Sequence, residues 1–382
     1  MWGSNANMFS QSIALRLKQT DNHASGFDYL RVGLATSILI IHCWIVCGGF
    51  QMVNAMFLSP ARPLIRWILP GFFALSGFLV AGSLERCRTL GMFLGLRILR
   101  IYPALAVEVV LSAFILGPLV TSFGLHQYFH NHLFYIYLRN VFGDVHFALP
   151  GVFLNNPLAA TVNGQLWTIP FELGCYLTMA VLTVLGVRRW RVLAPLSVVT
   201  LCVAYAFVTL IHHHGVLVPV PGALNGALLI ATFLSGVTIY LYKDIVPYSR
   251  AVCLGAVLAT CLCLGIFKWG DFFAPFPAAY VTVYIGLCNP STKLLRGADY
   301  SYGIFLYSFP VQQACYYYIP FARTPIGNFL VGLPATLLIA AFSWHSIEMP
   351  AQKLRVYLKR IENIYLSYRA RPLRKVARDQ LG

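Results

Sequence analysis

Apolar residues run in long, nearly unbroken blocks along this chain, and short segments carrying most of the charge separate them. A helix needs roughly 20 apolar residues to cross about 30 Å of hydrocarbon. By that measure ten blocks predict membrane helices, at about 29–49, 64–84, 102–120, 165–186, 192–211, 222–242, 251–267, 272–288, 300–319 and 326–346. The eighth is short and carries Pro275 and Pro277, which predicts a tilted or broken helix. The expected fold class is all-α, a polytopic integral membrane helical bundle of about ten transmembrane helices. Its expected parts are a cytoplasmic segment at 1–26, a transmembrane domain at 27–350 and a basic cytoplasmic tail at 351–382.

Composition narrows the class. Of 382 residues 58% are hydrophobic and 10% charged, and the mean hydropathy is +0.70. A soluble domain carries roughly 45–50% apolar and about 25% charged residues, so a water-soluble globule is excluded. The net charge of +16 would suggest nucleic acid in a soluble protein. In a membrane protein it follows from Lys and Arg gathered in cytoplasmic loops. With the N-terminus inside, the inner loops and tail hold 22 Lys and Arg and the outer loops 5, the latter being Arg62, Arg66, Arg139, Lys268 and Arg323. The inner set includes Lys293 and Arg296. That bias predicts both termini cytoplasmic. The first 26 residues lack the pattern of a signal peptide. Most of the ten cysteines sit within apolar runs, as small buried hydrophobes do, and a Cys43–Cys47 disulfide is not expected.

The long outer loop, about 121–164, is rich in aromatics and His. Its stretch Gln127–Asn140 suggests an interfacial amphipathic helix with Tyr128, Tyr135 and Tyr137 at headgroup depth. The basic tail is expected on an anionic leaflet or disordered. His212, His213 and His214 read as a solvated loop. His126, His130 and His132 lack an acidic or Cys partner, so no metal site is expected. Tyr316, Tyr317 and Tyr318 fit an aromatic belt.

Ionisable groups inside a membrane are costly and are functional candidates by default. Arg31 and His42 lie 11 positions apart on the first span. At about 100° per residue they fall within roughly 20° of one helix face, separated by about 16 Å along the axis. One face thus carries a guanidinium near the cytoplasmic surface and an imidazole about two-thirds of the way across. Arg suits phosphate, and His exchanges protons near neutral pH. Each alone has a bland reading: Arg31 as a positive-inside anchor, His42 as a helix-packing hydrogen bonder. Glu172 enters from outside to a depth similar to that of His42 and could orient the imidazole, or else pair with a backbone or hydroxyl group for helix packing. Asp28 and Glu108 are weaker candidates near span ends.

With these residues in place, the chain resembles the membrane acyltransferase 3 family. Arg31 and His42 match its Arg-x10-His signature. Further blocks follow in the family's order: Phe72-Phe73-Ala74-Leu75-Ser76-Gly77-Phe78-Leu79, then Arg97-Ile98-Leu99-Arg100-Ile101-Tyr102-Pro103. Leu166-Trp167-Thr168 with Glu172 and Tyr176 comes next. Ser301-Tyr302-Gly303-Ile304 through Phe309-Pro310-Val311, then Ile347-Glu348-Met349-Pro350, close the series. The resemblance covers about 27–356. It departs at Ser308, where many members have His, and no extracytoplasmic hydrolase-like domain follows the last helix.

The resemblance implies transfer of an acyl group, acetyl above all, from cytoplasmic acyl-CoA to a hydroxyl of an extracytoplasmic polysaccharide or lipid-linked glycan in a bacterial inner membrane. Arg31, Arg86, Arg97 and Arg100 would gather the CoA phosphates. His42 would act as general base or transient acyl acceptor, helped by Arg31 and Glu172. Trp167, Asn163 and Tyr176 would meet substrate. The partners are then acyl-CoA, a glycan acceptor and the bilayer, with no nucleic acid and no permanently bound cofactor. The competing reading is a transporter or flippase of a glycan or small solute without acyl chemistry. The lack of internal repeats weighs against it. An N-acyltransferase or small-molecule acyltransferase would use the same helix face on another acceptor.

Overall fold

The computed structural model describes residues 11–21, 24–212, 225–267, 269–288 and 298–379. Lys268, Lys293, Arg296, His213 and His214 lie outside the described residues. A short helix α1 (Ile13–Lys18) precedes α2 (Gly26–Leu58), α3 (Arg62–Arg86) and α4 (Leu90–Leu111). The last runs through a π-helical turn, Ser112–Leu116, into α5 (Gly117–Val120). The long loop holds α6 (Leu125–Phe129) and α7 (His132–Leu138). Next come α8 (Ile169–Val184), α9 (Leu193–His212), α10 (Gly226–Leu241), α11 (Arg250–Gly265) and α12 (Pro275–Gly286). After α13 (Ser301–Tyr318) and α14 (Pro325–Ser343), a second π-helical turn leads to α15 (Met349–Lys353) and α16 (Arg355–Asp379). The fold is mostly helical; among the described residues the strands are two-residue pieces, Gln11–Ser12 paired antiparallel with Pro247–Tyr248.

Each of the ten predicted blocks contains a helix among its described residues, but they differ in how well each could span a membrane alone. Among the described residues, 6 helices are long and apolar enough to cross. Helices α10 and α11 are apolar but have 16 residues each, and α12 has 12. Helix α13 carries Ser308, Gln312 and Gln313, all buried among its neighbours, so its apolar content is low for a spanning segment.

Helix α3 forms the hub, packing on α2, α10, α11 and α12. Its contact with α10 depends on two glycines. A Cβ on Gly77 would stand 1.9 Å from the carbonyl oxygen of Phe233, and one on Gly236 2.1 Å from that of Ala74. Small residues let two backbones approach where lipid supplies no hydrophobic drive between helices. Gly77→Val is therefore expected to cost about 1–3 kcal/mol by overpacking against backbone. A lowered melting temperature in detergent would register that loss, whereas Gly33→Ala, with open space at the Cβ position, should leave it unchanged.

Several segments depart from expectation. The third helix begins at Leu90 rather than near 102, because Thr89 caps it by accepting from the Met92 amide at 3.1 Å, and Met92 and Phe93 are buried. This earlier start puts Arg97 and Arg100 on a helix and places Glu108 well inside it. The interfacial helix expected at Gln127–Asn140 is broken at Asn131, whose side chain caps α7. Tyr128 and Tyr137 are fully buried instead of lying at headgroup depth. The Tyr128 hydroxyl donates to the Ala113 carbonyl in the π-helical turn at 2.7 Å, while Tyr135 is exposed as expected. The chain after 351 is helical to Asp379. Glu362 fastens it to the start of α4 by accepting from the Thr89 amide and hydroxyl, each at 2.8 Å. At the other terminus Ser12 caps α1, and Ile13 and Leu17 pack with Phe27, Leu75 and Phe78.

Candidate active site

Three adjoining cavities run in a row along one side of α2. The first, of about 650 Å³, is lined by the basic residues Lys18, Arg31, Arg86, Arg97 and Lys243 and by the acidic Asp28, Glu85 and Asp244, among others. The second, of about 110 Å³, shares Arg31, Leu79 and Arg97 with it and adds Arg100, Glu172 and Tyr176. The third, of about 330 Å³, shares Ile38, Leu69, Thr168 and Phe305 with the second and contains His42, Gln165 and Trp167. Arg31, Ile38 and His42 meet these spaces in order, as residues on one helix face must.

The basic end is only partly free to meet an anion. Arg31 reaches Asp28 at 3.3 Å and Asp299 at 3.1 Å, and Arg100 reaches the same Asp299 oxygen at 2.7 Å. Burial alone would raise the Asp299 carboxyl. The Arg100 and Arg31 guanidiniums, with the Ser301 hydroxyl, hold it well below the usual carboxylate range. Lys243 is paired with Glu85 at 2.9 Å, so the surplus positive charge rests on Lys18, Arg86 and Arg97, none of which makes an ion pair among the described residues. Arg97 donates to the Ser83 hydroxyl at 3.1 Å and lies over the Tyr176 ring, 5.8 Å from its centroid.

Glu172 belongs to the middle of this row. Its carboxylate accepts from the Tyr176 hydroxyl one turn along α8, at 2.7 Å, and no hydrogen bond joins it to His42. The expected orienting pair is thus not formed: the carboxyl faces the arginine side, and the imidazole lies in the next cavity. The His42 Nδ1 is buried and unpartnered. Its ring rests edge-on against Phe309, with centroids 5.0 Å apart. Trp167 lines the same cavity as His42.

Asn163 is elsewhere. It is fully buried, and its amide donates to Glu108 and to the Tyr137 hydroxyl, in a polar knot that Ser112 completes by donating to Glu108 at 2.8 Å. It lines none of the three cavities. Ser308 is buried with an unpartnered Oγ and also stays outside the His42 cavity.

Two residues were not singled out from the sequence. Asp299 ties α2 to α4, and the signal available was its place directly before the Ser301-Tyr302-Gly303-Ile304 block. Gln165 lies two residues before Trp167 and points its amide at α13, a contact across 141 positions that no local pattern announces. Among the described residues no group of His, Cys, Asp or Glu is arranged to hold a metal. All ten cysteines are free.

A family model described as an acyltransferase domain matches residues 25–345. The chain is 28% identical over 374 residues to a protein named nodulation protein 10 from Rhizobium leguminosarum bv. viciae, covering 89% of this chain and 96% of that one. It is 25% identical over 332 residues to an O-acetyl transferase of Shigella phage Sf6, covering 84% and 94%. No solved structure matches it.

Proposed function

The chain belongs to the acyltransferase 3 family, and from that premise we propose that it moves an acetyl group from cytoplasmic acetyl-CoA to a hydroxyl of an extracytoplasmic glycan. The observation that carries this reading is the row of cavities leading from arginines without ion pairs to an imidazole whose Nδ1 is buried and unpartnered. The strong excess of Lys and Arg on one set of loops supports ten crossings with both termini in the cytoplasm. That orientation places the basic cavity inside. A bacterial inner membrane is where such a donor and such an acceptor face each other.

In this mechanism Arg97 and Arg86 bind the phosphates of the donor, while Arg31 and Arg100 are held in place by Asp299. The acyl-bearing arm extends past Tyr176 and brings its thioester beside His42. The acceptor hydroxyl approaches from the Trp167 side. In direct transfer an imidazole nitrogen takes the hydroxyl proton as the oxygen attacks the thioester carbonyl; the carbon–sulfur bond then breaks, and the departing thiolate recovers that proton. In the two-step route the imidazole attacks first, releases the thiol and passes its acyl group to the hydroxyl. Glu172 fixes Tyr176 beneath Arg97 and does not act on the imidazole.

Release of free CoA thiol from acetyl-CoA, dependent on added acceptor glycan and on the purified protein, tests the proposal; glycan movement without thiol release would contradict it. In the same assay Arg97→Ala is expected to raise the KM for acetyl-CoA by about ten- to a hundredfold, the loss of a charge-assisted contact worth about 1.5–3 kcal/mol. The value of kcat should change little, because the phosphates lie far from the reacting carbon.

A further inference from the structure

Proline at position 310 breaks the hydrogen-bond ladder of α13, since it has no N–H to give to the carbonyl of Leu306 one turn earlier. That carbonyl is taken instead by the Gln165 side chain, whose Nε2 donates to it at 2.6 Å. The contact fixes the amide, because turning it over would set two oxygens against each other. Gln165 is 1% exposed, and its Oε1 has no partner. It lines the cavity that holds His42. A buried acceptor left open beside a reactive imidazole awaits a donor from whatever fills the space.

The walls say which donor. Apart from Gln165 itself, His42, Thr168 and Trp167, the cavity is built from apolar side chains, among them Ile38, Ile41, Ile45, Ile65 and Ile68. Such walls leave the hydroxyls of a sugar ring without partners. The thioester end of a pantetheine arm is a different object: methylenes with one amide N–H, two carbons from the sulfur. We propose that Gln165 is a positioning residue for the acyl donor, its Oε1 accepting the pantetheine N–H nearest the sulfur and so holding the thioester carbonyl at His42. Pro310 takes part by freeing the carbonyl that locks the amide. This assignment rests on the acyl-CoA reading above and names a contact that reading does not require.

The test compares acetyl-CoA with the analogue in which oxygen replaces that N–H, in the intact protein and in Gln165→Leu, by thiol release with donor and acceptor concentrations each varied. The intact protein should favour the amide donor about tenfold in kcat/KM, and Gln165→Leu should use the two equally. The KM for acceptor should be the same in both proteins. Equal use of both donors by the intact protein overturns the proposal, whether or not the variant folds. So does a Gln165→Leu defect confined to the acceptor's KM, which would give the Oε1 to a sugar hydroxyl. Turnover without donor preference refutes this inference alone, whereas no acceptor-dependent thiol release from either donor refutes the acyl-CoA reading on which it stands.

Discussion

His42→Ala is expected to lower acyl transfer by about 10²–10⁴-fold, the range spanned by a lost general base, while the protein still reaches the membrane in normal amount. The two halves of this expectation have separate origins. A histidine kept for helix packing would hold a hydrogen bond to a neighbouring helix, and truncating it would weaken the bundle. The His42 Nδ1 has no such partner, and its ring touches Phe309 through an edge-on aromatic contact. Removing it leaves no orphaned polar group behind. The chemistry, by contrast, loses the imidazole that lines this cavity and takes the hydroxyl proton as the new bond forms. Thiol release at matched protein concentration, read alongside the melting temperature, separates a lost base from a lost fold; a large fall in stability with a proportionate fall in rate would return His42 to a packing role.

Asp299→Ala should have the largest effect on stability. Arg31 and Arg100 converge on one carboxylate, and the three side chains are 24%, 25% and 14% exposed. Removing the shared anion leaves two partly buried guanidiniums facing each other, a loss of about 3–5 kcal/mol where one member of a buried pair is deleted. Asp299→Ala/Arg100→Met should recover part of this, because replacing a whole pair with apolar groups is often neutral. The pH dependence follows from the direction of the shift. The Asp299 carboxyl is depressed in the folded protein, so its contribution is complete above the ordinary carboxylate range and is lost as pH falls through the depressed value. Thermal melts in detergent should show an acid-side loss in the intact protein that is smaller in Asp299→Ala; identical acid profiles would remove Asp299 from the account.

The residues of this site differ in how they could be read. Arg31 and His42 were legible because both lie on one helix, where spacing alone fixes the shared face. A mostly helical chain with several membrane-crossing helices was legible because apolar length is a direct consequence of the bilayer, and among the described residues 6 helices meet that length. What the sequence did not reveal was tertiary: Asp299 meets Arg31 across 268 positions, and Gln165 meets Leu306 only because a proline frees a carbonyl on another helix. Glu172 shows the limit of reasoning by depth. It was placed level with His42, yet a tyrosine one turn away on its own helix offered the nearer hydrogen bond. Asn163 shows the same for motifs, since its place beside the Trp167 block serves a buried knot with Glu108 and Tyr137. The early start of α4 came from Thr89, a polar cap that apolar length does not reveal.

The central claim is that a donor bound at the arginines delivers its acyl group to glycan at His42. Mass spectrometry of surface glycans tests it most directly, in cells carrying the intact protein, no protein, or His42→Ala at matched membrane abundance. An acyl mass increment found only with the intact protein, on glycan that reaches the surface in all three cells, is the predicted result, and the increment identifies the group transferred. Glycan that is equally acylated in all three, or that vanishes from the surface when the protein is absent, would contradict the account and favour transport.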